Sequence, residues 1–223
     1  MDIFGSRWGD YHNKIEAAWK ATVSGSDTVV IAGDVSWAMS LSEAEADFRY
    51  LEALPGIKLL GKGNHDYWWD TVSKMTAFLD RQNLPSIKFL YNNAYAIDGI
   101  AVCGSRGWFI NQKNAPDDSD YKKIVAREAG RIEASIIQSK KSNCEPVVFL
   151  HFPPVYKSFI CREIIDVLQK HGVKRCYYGH IHSEYDTDPS FIFEDIEFII
   201  TSADYLNFTP LKIERGDALG EPF

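Results

Sequence analysis

Four short segments that are typical of buried strands are each followed by residues that can bind metals or transfer protons. They are TVVIA at 28–32 before Gly33 and Asp34, IKLL at 57–60 before GNHD at 63–66, PVVFL at 146–150 before His151, and KRCYY at 174–178 before GHIH at 179–182. In open α/β sheets the carboxyl ends of the strands border one crevice. We therefore expect these side chains to converge.

Helical and strand-like patterns alternate along the chain. The pattern predicts helices at 13–24, 42–54, 70–82 (with Asp70 as N-cap), 119–142 and 160–171, and further strands within 87–104, 191–200 and 209–213. Asn92-Asn93 and Asp98-Gly99 inside the segment 87–104 are typical hairpin turns. Strands alternate with helices at both ends of the chain, and hairpins lie in the middle. This pattern indicates an α/β fold of two mixed sheets with helices outside. We find no linker or repeat, so residues 1–223 are predicted to form one domain.

Composition excludes several classes of protein. The chain has 223 residues and a net charge of −7, whereas proteins that bind the nucleic-acid backbone need a surplus of Lys and Arg. A phosphate-bearing substrate is still compatible if metal ions supply positive charge. The sequence has no apolar stretch of transmembrane length and no signal pattern, and its four cysteines are widely spaced without a CxxC pair. We expect a cytoplasmic protein with reduced, mostly buried thiols; the sequence indicates no oligomeric state.

Each of these motifs has an ordinary explanation when taken alone. Gly33-Asp34 alone would be read as a turn, and His180 and His182 as a surface pair on an extended segment. Together they form a mixed N/O donor set that suits Mn, Fe or Zn better than Mg or Ca. A carboxylate that bridges two ions, with an imidazole nearby, is what two-metal hydrolysis of a phosphate ester needs. His65, oriented by Asp66, would protonate the leaving oxygen.

In their order along the chain, these motifs resemble those of the calcineurin-like metallophosphoesterase family. The resemblance covers residues from about 28 to about 205. It implies a four-layer α/β sandwich of two mixed β-sheets flanked by helices, a centre of two divalent ions, and hydrolysis of small-molecule phosphomonoesters or phosphodiesters. By position, Asp34 would bridge the ions, Asn64, His151 and His180 would complete one site, His182 would belong to the other, and His65 would be the general acid paired with Asp66.

The sequence departs from the family pattern at its start. The family's first motif is Asp-x-His after a first strand, and this chain has only Asp10-Tyr11-His12, preceded by no strand-like segment. We expect the true first strand and its motif to lie upstream of Met1, and Asp10 and His12 to lie away from the centre. The segment TVVIA should then have an exposed edge, and the second metal site should be poor and the activity reduced.

Several alternatives remain open at this point. A binding or scaffold protein could keep the fold with an impaired metal site, and a nuclease is disfavoured by the net charge. Arg106 could clamp a substrate phosphate or be a structural arginine. Arg127, Glu128 and Arg131 are interpreted as a solvated helix face. The aromatic residues near the motifs either pack beneath the loops or form an apolar wall for substrate; they are Trp37, Tyr67, Trp68, Trp69 and Trp108.

Overall fold

The structure, a computed structural model, describes residues 5–109, 118–140 and 144–214. Its α-helices are α1 (Tyr11–Thr22), α2 (Glu45–Glu52), α3 (Val72–Gln82), α4 (Asp118–Ser139) and α5 (Arg162–Lys170). Its strands are β1 (Thr28–Ile31), β2 (Ile57–Leu60), β3 (Ile87–Phe89), β4 (Ala94–Ile97), β5 (Ile100–Ser105), β6 (Glu145–Leu150), β7 (Val155–Tyr156), β8 (Phe159–Ile160), β9 (Arg175–Tyr178), β10 (Ser190–Phe193) and β11 (Ile196–Ile200).

The strands form two main sheets and a small ribbon. One sheet has three strands in the order β1-β2-β3, and the other has six in the order β10-β11-β9-β6-β5-β4. The six-stranded sheet is mixed, as predicted, because β4 and β10 join their neighbours as hairpins. Within the described residues the three-stranded sheet contains only parallel pairs, so the prediction that both sheets are mixed is wrong for this one. The reason is that α2 and α3 connect its strands, and a helical crossover returns the chain in the same direction.

Buried apolar clusters show four layers, helices on sheet on sheet on helices. Phe48 of α2 and Phe78 of α3 pack on the outer face of the three-stranded sheet. Ile132 of α4 and Ile165 of α5 cover the outer face of the six-stranded sheet. The cluster between the sheets joins Leu59 of β2 to residues of the larger sheet, which include Val102, Val147, Tyr177 and Ile199. The predicted α/β architecture of sheets flanked by helices is therefore confirmed.

Three local predictions need correction. Asn92-Asn93 is not a hairpin turn, because β3 and β4 belong to different sheets, whereas Asp98-Gly99 does connect the antiparallel pair β4 and β5. The N-cap of α3 is Thr71, whose side chain accepts a hydrogen bond from the N–H of Lys74, rather than Asp70. The segment 209–213 is not a strand. Its apolar residues are separated by polar ones, and that alternation alone does not supply a partner strand.

Strand β1 lies at the edge of its sheet, as the sequence predicted. Within the described part of the chain it pairs only with β2, and all four of its residues are partly exposed. A parallel edge strand with apolar side chains leaves backbone groups open on one side. Across the same described residues, no helix combines the length and apolar character needed to cross a bilayer.

The cysteines should differ sharply in reactivity. Cys103, Cys161 and Cys176 are fully buried, whereas Cys144 is half-buried, and all four are thiols. Burial raises the pKa of the Cys161 thiol to about 12 and also raises the pKa values of Cys103 and Cys176. Since the thiolate is the reactive form, Ellman's reagent at pH 8 should modify Cys144 first. The other three should react only after denaturation, and fast labelling of all four in native protein would contradict this packing.

Candidate metal centre

The carboxyl ends of the parallel strands meet between the two sheets. Asp34 and Asn64 follow β1 and β2 of the smaller sheet, while His151 and His180 follow β6 and β9 of the larger one. A hydrogen bond of 2.9 Å joins Nδ1 of His151 to the backbone carbonyl of Ala32 and so ties the sheets together at this edge. The side chains predicted to converge are thus brought to one place.

Asp34, His151 and His180 form a group whose potential ligand atoms all lie within 4.8 Å of one another. Asn64 completes it, because its Oδ1 lies 2.7 Å from Nε2 of His151. Nε2 of His151 also lies 3.4 Å from Oδ2 of Asp34. The group therefore presents a carboxylate, an amide and two imidazoles towards a common region.

The chemistry of these donors fits a cation. The carbonyl of Ala32 can only accept a hydrogen bond, so Nδ1 of His151 carries the proton. Burial lowers the pKa of His151 to about 3, which keeps the ring neutral and leaves Nε2 with a lone pair. That lone pair faces a carboxylate oxygen of Asp34 with no proton between them, an arrangement that a bound cation would stabilise.

The two ligand loops have unusual backbone conformations. Asp34 and His180 both lie in the left-handed region, with φ of 57° and 65°. For residues with a Cβ this region costs about 1–3 kcal/mol, and such positions cluster at functional sites. Burial lowers the pKa of His180 to about 4, so this imidazole is also neutral at pH 7. Both histidines are therefore in the protonation state that metal binding requires.

Two glycines allow the first pair of loops to touch. Gly33 has φ of 95°, and a Cβ there would lie 2.5 Å from the backbone nitrogen of Gly63. A Cβ on Gly63 would lie 2.0 Å from Oδ1 of Asp34. Any side chain at either position would push Asp34 away from Asn64, which explains why both motifs begin with glycine.

Asp66 fastens these loops and does not contact the His65 ring. Its carboxylate accepts hydrogen bonds of 2.7–3.2 Å from four backbone N–H groups, those of Asp34, Val35, Ser36 and Gly63. Burial raises the pKa of Asp66 to about 6, while these N–H groups act in the opposite direction. The predicted pairing of Asp66 with His65 is thus not what the structure shows, because both carboxylate oxygens are already used by the backbone.

His65 is held instead by its neighbours in the loops. Its backbone N–H donates to Oδ1 of Asp34 at 2.8 Å, and its Nδ1 lies 3.0 Å from the hydroxyl of Tyr67. Its ring stacks on Trp37, with centroids 4.2 Å apart and planes inclined by 19°. Trp37 and Tyr67 are 41% and 51% exposed, so these two aromatic residues border the surface, whereas Trp68 is buried in the core.

His182 lies beside the group and is oriented by a residue that the sequence patterns did not reveal. Its Nδ1 lies 2.8 Å from Oδ1 of Asp204, a fully buried carboxylate that also accepts hydrogen bonds from Ser183 and Tyr185. A carboxylate behind a histidine is the usual way to orient a metal ligand. On its other side, the ring of the buried Trp8 lies 5.4 Å from His182.

Asp10 and His12 have other contacts. Asp10 accepts a hydrogen bond from the side chain of Asn13, and the ring of His12 packs against Tyr11 and Tyr50. Within the described residues neither belongs to a group that could hold a metal ion. That Asp10 and His12 lie away from the centre stays a prediction.

Arg106 follows β5 at the same edge, and Glu128 explains its fixed position. Glu128 is 3% exposed and accepts hydrogen bonds from the Ser105 hydroxyl, the Gly107 N–H and Arg131. The interpretation of Glu128 as part of a solvated helix face is therefore wrong. It is buried because the chain that leaves β5 packs on α4, a contact between distant parts of the sequence.

Comparison with known proteins agrees with this geometry. The sequence model of the calcineurin-like phosphoesterase family matches residues 5–184. No curated protein matches the sequence significantly. The crystal structure of TT1561 of Thermus thermophilus is similar, with a TM-score of 0.59 and 13% identity over 89% of this chain and 86% of that one. A second crystal structure has a TM-score of 0.51 and 10% identity over 86% and 85%. At such identities the likeness concerns the fold. The family match, which spans most of the chain, shows that this protein belongs to the calcineurin-like phosphoesterases, a family of metal-dependent phosphoester hydrolases.

Proposed function

We propose that the protein hydrolyses phosphomonoesters or phosphodiesters of small molecules at a centre of two divalent ions, with His65 as general acid. The observation that carries the proposal is the ligand group in which Asp34, His151 and His180 meet within 4.8 Å. The mixed N/O donors suit Mn, Fe or Zn. Ions bound there would neutralise charge on the transferring phosphoryl group.

The two ions would have unequal ligands. Asp34, Asn64, His151 and His180 would hold the first, while the second would have Asp34 and His182. The hydrogen bond from Nδ1 of His182 to Asp204 supports His182 as a ligand of the second ion, because Nε2 then carries the lone pair that would bind the metal. Losing even an outer partner of a ligand typically costs about 10–100-fold in affinity. The second ion should therefore bind at least that much more weakly than the first.

His65 would deliver a proton from Nε2 to the oxygen of the leaving group. Its Nδ1 is engaged by Tyr67, and in the described chain its Nε2 has no hydrogen-bond partner. The stacking on Trp37 fixes the plane of the ring. The backbone hydrogen bond to Asp34 holds His65 next to the ligand group, so the acid and the ligands would move as one unit.

Replacing His65 with alanine should lower turnover without removing the metal. General acid catalysis is typically worth about 10²–10⁴-fold, so kcat for nitrophenyl phosphate and bis-nitrophenyl phosphate with Mn²⁺ should fall by a factor in this range. Metal content, measured by inductively coupled plasma mass spectrometry, should stay unchanged because the His65 side chain is not in the ligand group. Comparison of the two substrates also separates monoesterase from diesterase activity.

His12→Ala is the matched control, since it removes an exposed imidazole whose ring contacts only Tyr11 and Tyr50 among the described residues. It should leave turnover unchanged. Unaltered turnover in His65→Ala would remove the acid role from His65. Wild-type protein that binds Mn²⁺ but hydrolyses neither ester would favour the binding or scaffold function instead.

A further inference from the structure

We propose that Lys62, Arg106 and Arg131 form an anion-binding subsite next to the metal ligands, and that the substrate is a small phosphoester carrying a second phosphate group. The inference rests on the proposed function for the reacting phosphate. It adds which residues would bind the second phosphate group and by what charge. We call these three residues the cationic subsite.

The backbone of Arg106 is fixed beside the ligand His151. Ser105 pairs with Leu150 in the register of β5 and β6, so the next residues of both strands lie side by side. The carbonyl of Arg106 accepts hydrogen bonds from the N–H groups of His151 and Phe152 at 3.0 and 2.9 Å. On each side of Arg106, Ser105 and Gly107 donate to Glu128. The position is thus fixed by backbone hydrogen bonds to Arg106 itself and by the hydrogen bonds of both its neighbours to Glu128.

The Arg106 side chain has a buried donor without a partner. Its guanidinium carbon lies 5.0 Å from the centre of the Phe152 ring, and that ring lies 4.6 Å from the ring of His180. Nε of Arg106 is buried, makes no hydrogen bond, and the guanidinium forms no ion pair with any described residue. A buried donor left unpaired is destabilising, and more so when it is charged. An anion at this position would satisfy it.

Two more positive charges, those of Lys62 and Arg131, lie near two neighbouring aromatic rings at the same edge of the sheets. The Lys62 ammonium lies 5.9 Å from the Trp69 ring, and the Arg131 guanidinium lies 5.6 Å from the Tyr91 ring. Those two rings are 5.3 Å apart. Arg131 pairs with Glu128, the same carboxylate that accepts hydrogen bonds from Ser105 and Gly107 on either side of Arg106, and this places Arg131 near Arg106.

Among the described residues, Arg131 has an acidic partner at ion-pair distance, whereas Lys62 and Arg106 do not. Glu128 pairs with Arg131 at 3.0 Å, and no carboxylate in the described chain lies within ion-pair distance of Lys62 or Arg106. Glu128, Asp34 and Asp66 act electrostatically on Arg106 from further away. Glu128 and Asp66 already accept hydrogen bonds from other groups, and Asp34 belongs to the metal ligands. A chain with a net charge of −7 thus places two cations that have no ion-pair partner among the described residues, Lys62 and Arg106, beside its metal centre. Arginine and lysine together are the usual donors to phosphate oxygens.

The test is pyrophosphate binding to metal-free protein by isothermal titration calorimetry in EDTA at low ionic strength. The wild-type protein should bind. The double variant Lys62→Met, Arg106→Gln should bind at least about 10-fold more weakly, since it removes two positive charges that can donate charge-assisted hydrogen bonds to phosphate oxygens. The double variant Lys74→Met, Arg127→Gln removes two exposed cations and should match the wild type.

The result does not depend on hydrolysis, so it separates this inference from the proposed function. Failure to hydrolyse nitrophenyl phosphates would leave the binding comparison intact. No pyrophosphate binding by wild-type protein, or equal binding by both double variants, would overturn the subsite. If circular dichroism shows that Arg106→Gln prevents folding, the single variant Lys62→Met carries the same comparison, and wild-type affinity in it would count against the subsite.

Discussion

Replacing Asp34 with asparagine should abolish Mn²⁺-dependent hydrolysis while leaving the fold intact. Asparagine keeps an oxygen that can accept the N–H of His65, but it removes the negative charge that faces Nε2 of His151 at 3.4 Å. Loss of an outer partner of a ligand already costs about 10–100-fold in affinity, so loss of this ligand's charge should cost at least about 100-fold. Calorimetric titration with Mn²⁺ and turnover of nitrophenyl phosphate measure the two effects.

Asp10→Asn is the matched control, because it makes the same change at the Asp-x-His look-alike. Asp10 contacts Asn13 and is not part of the ligand group, so metal affinity and turnover should match the wild type. A loss of metal in Asp10→Asn comparable to that in Asp34→Asn would show that Asp10 is a ligand. It would also mean that the expected position of the first motif is wrong.

The second large effect is on stability. Asp66→Ala should lower the free energy of unfolding by at least about 3 kcal/mol, since four backbone N–H groups lose their acceptor and an unsatisfied buried donor costs about 1–3 kcal/mol. These donors belong to residues 34–36 and to Gly63, so the loop that contains Asp34 and the loop that contains Asn64 should loosen together. Urea unfolding followed by circular dichroism measures the change.

Asp70→Ala is the control for this prediction. Asp70 lies four residues further along, is largely exposed and pairs with Lys74 on the surface at 3.0 Å. Exposed ion pairs contribute little to stability, so this variant should unfold close to the wild type. Equal destabilisation by both substitutions would mean that the carboxylate of Asp66 does not hold the loops.

The layers of the fold and the meeting point of the ligands could be predicted because both follow from local patterns. Apolar strands alternating with amphipathic helices indicate an α/β fold, and the residue after a parallel strand lies at a known edge. The sequence alone was therefore enough to place Asp34, Asn64, His151 and His180 near one another. The parallel order of β1, β2 and β3 was less visible, because one sequence does not show which strands pair.

The supporting residues could not be found in the same way. Asp66 and Glu128 act on backbone N–H groups from distant segments, and the sequence does not show which loops will touch. Asp204 was easier to predict, because β11 is parallel to β9 and the carboxyl end of β11 lies at the same edge of the sheet. The rule for strand ends, which identifies the ligands after β1, β2, β6 and β9, also applies to the segment after β11 that contains Asp204.

The central claim is that Asp34, Asn64, His151 and His180 bind a metal ion. A crystal grown with Mn²⁺ and measured near the manganese absorption edge tests it directly, because an anomalous difference map locates the ion without assumptions about ligands. We predict a strong peak bounded by these four side chains, and a weaker second peak near His182. A map with no peak among the four, or with the manganese bound at Asp10 and His12 instead, would contradict the claim.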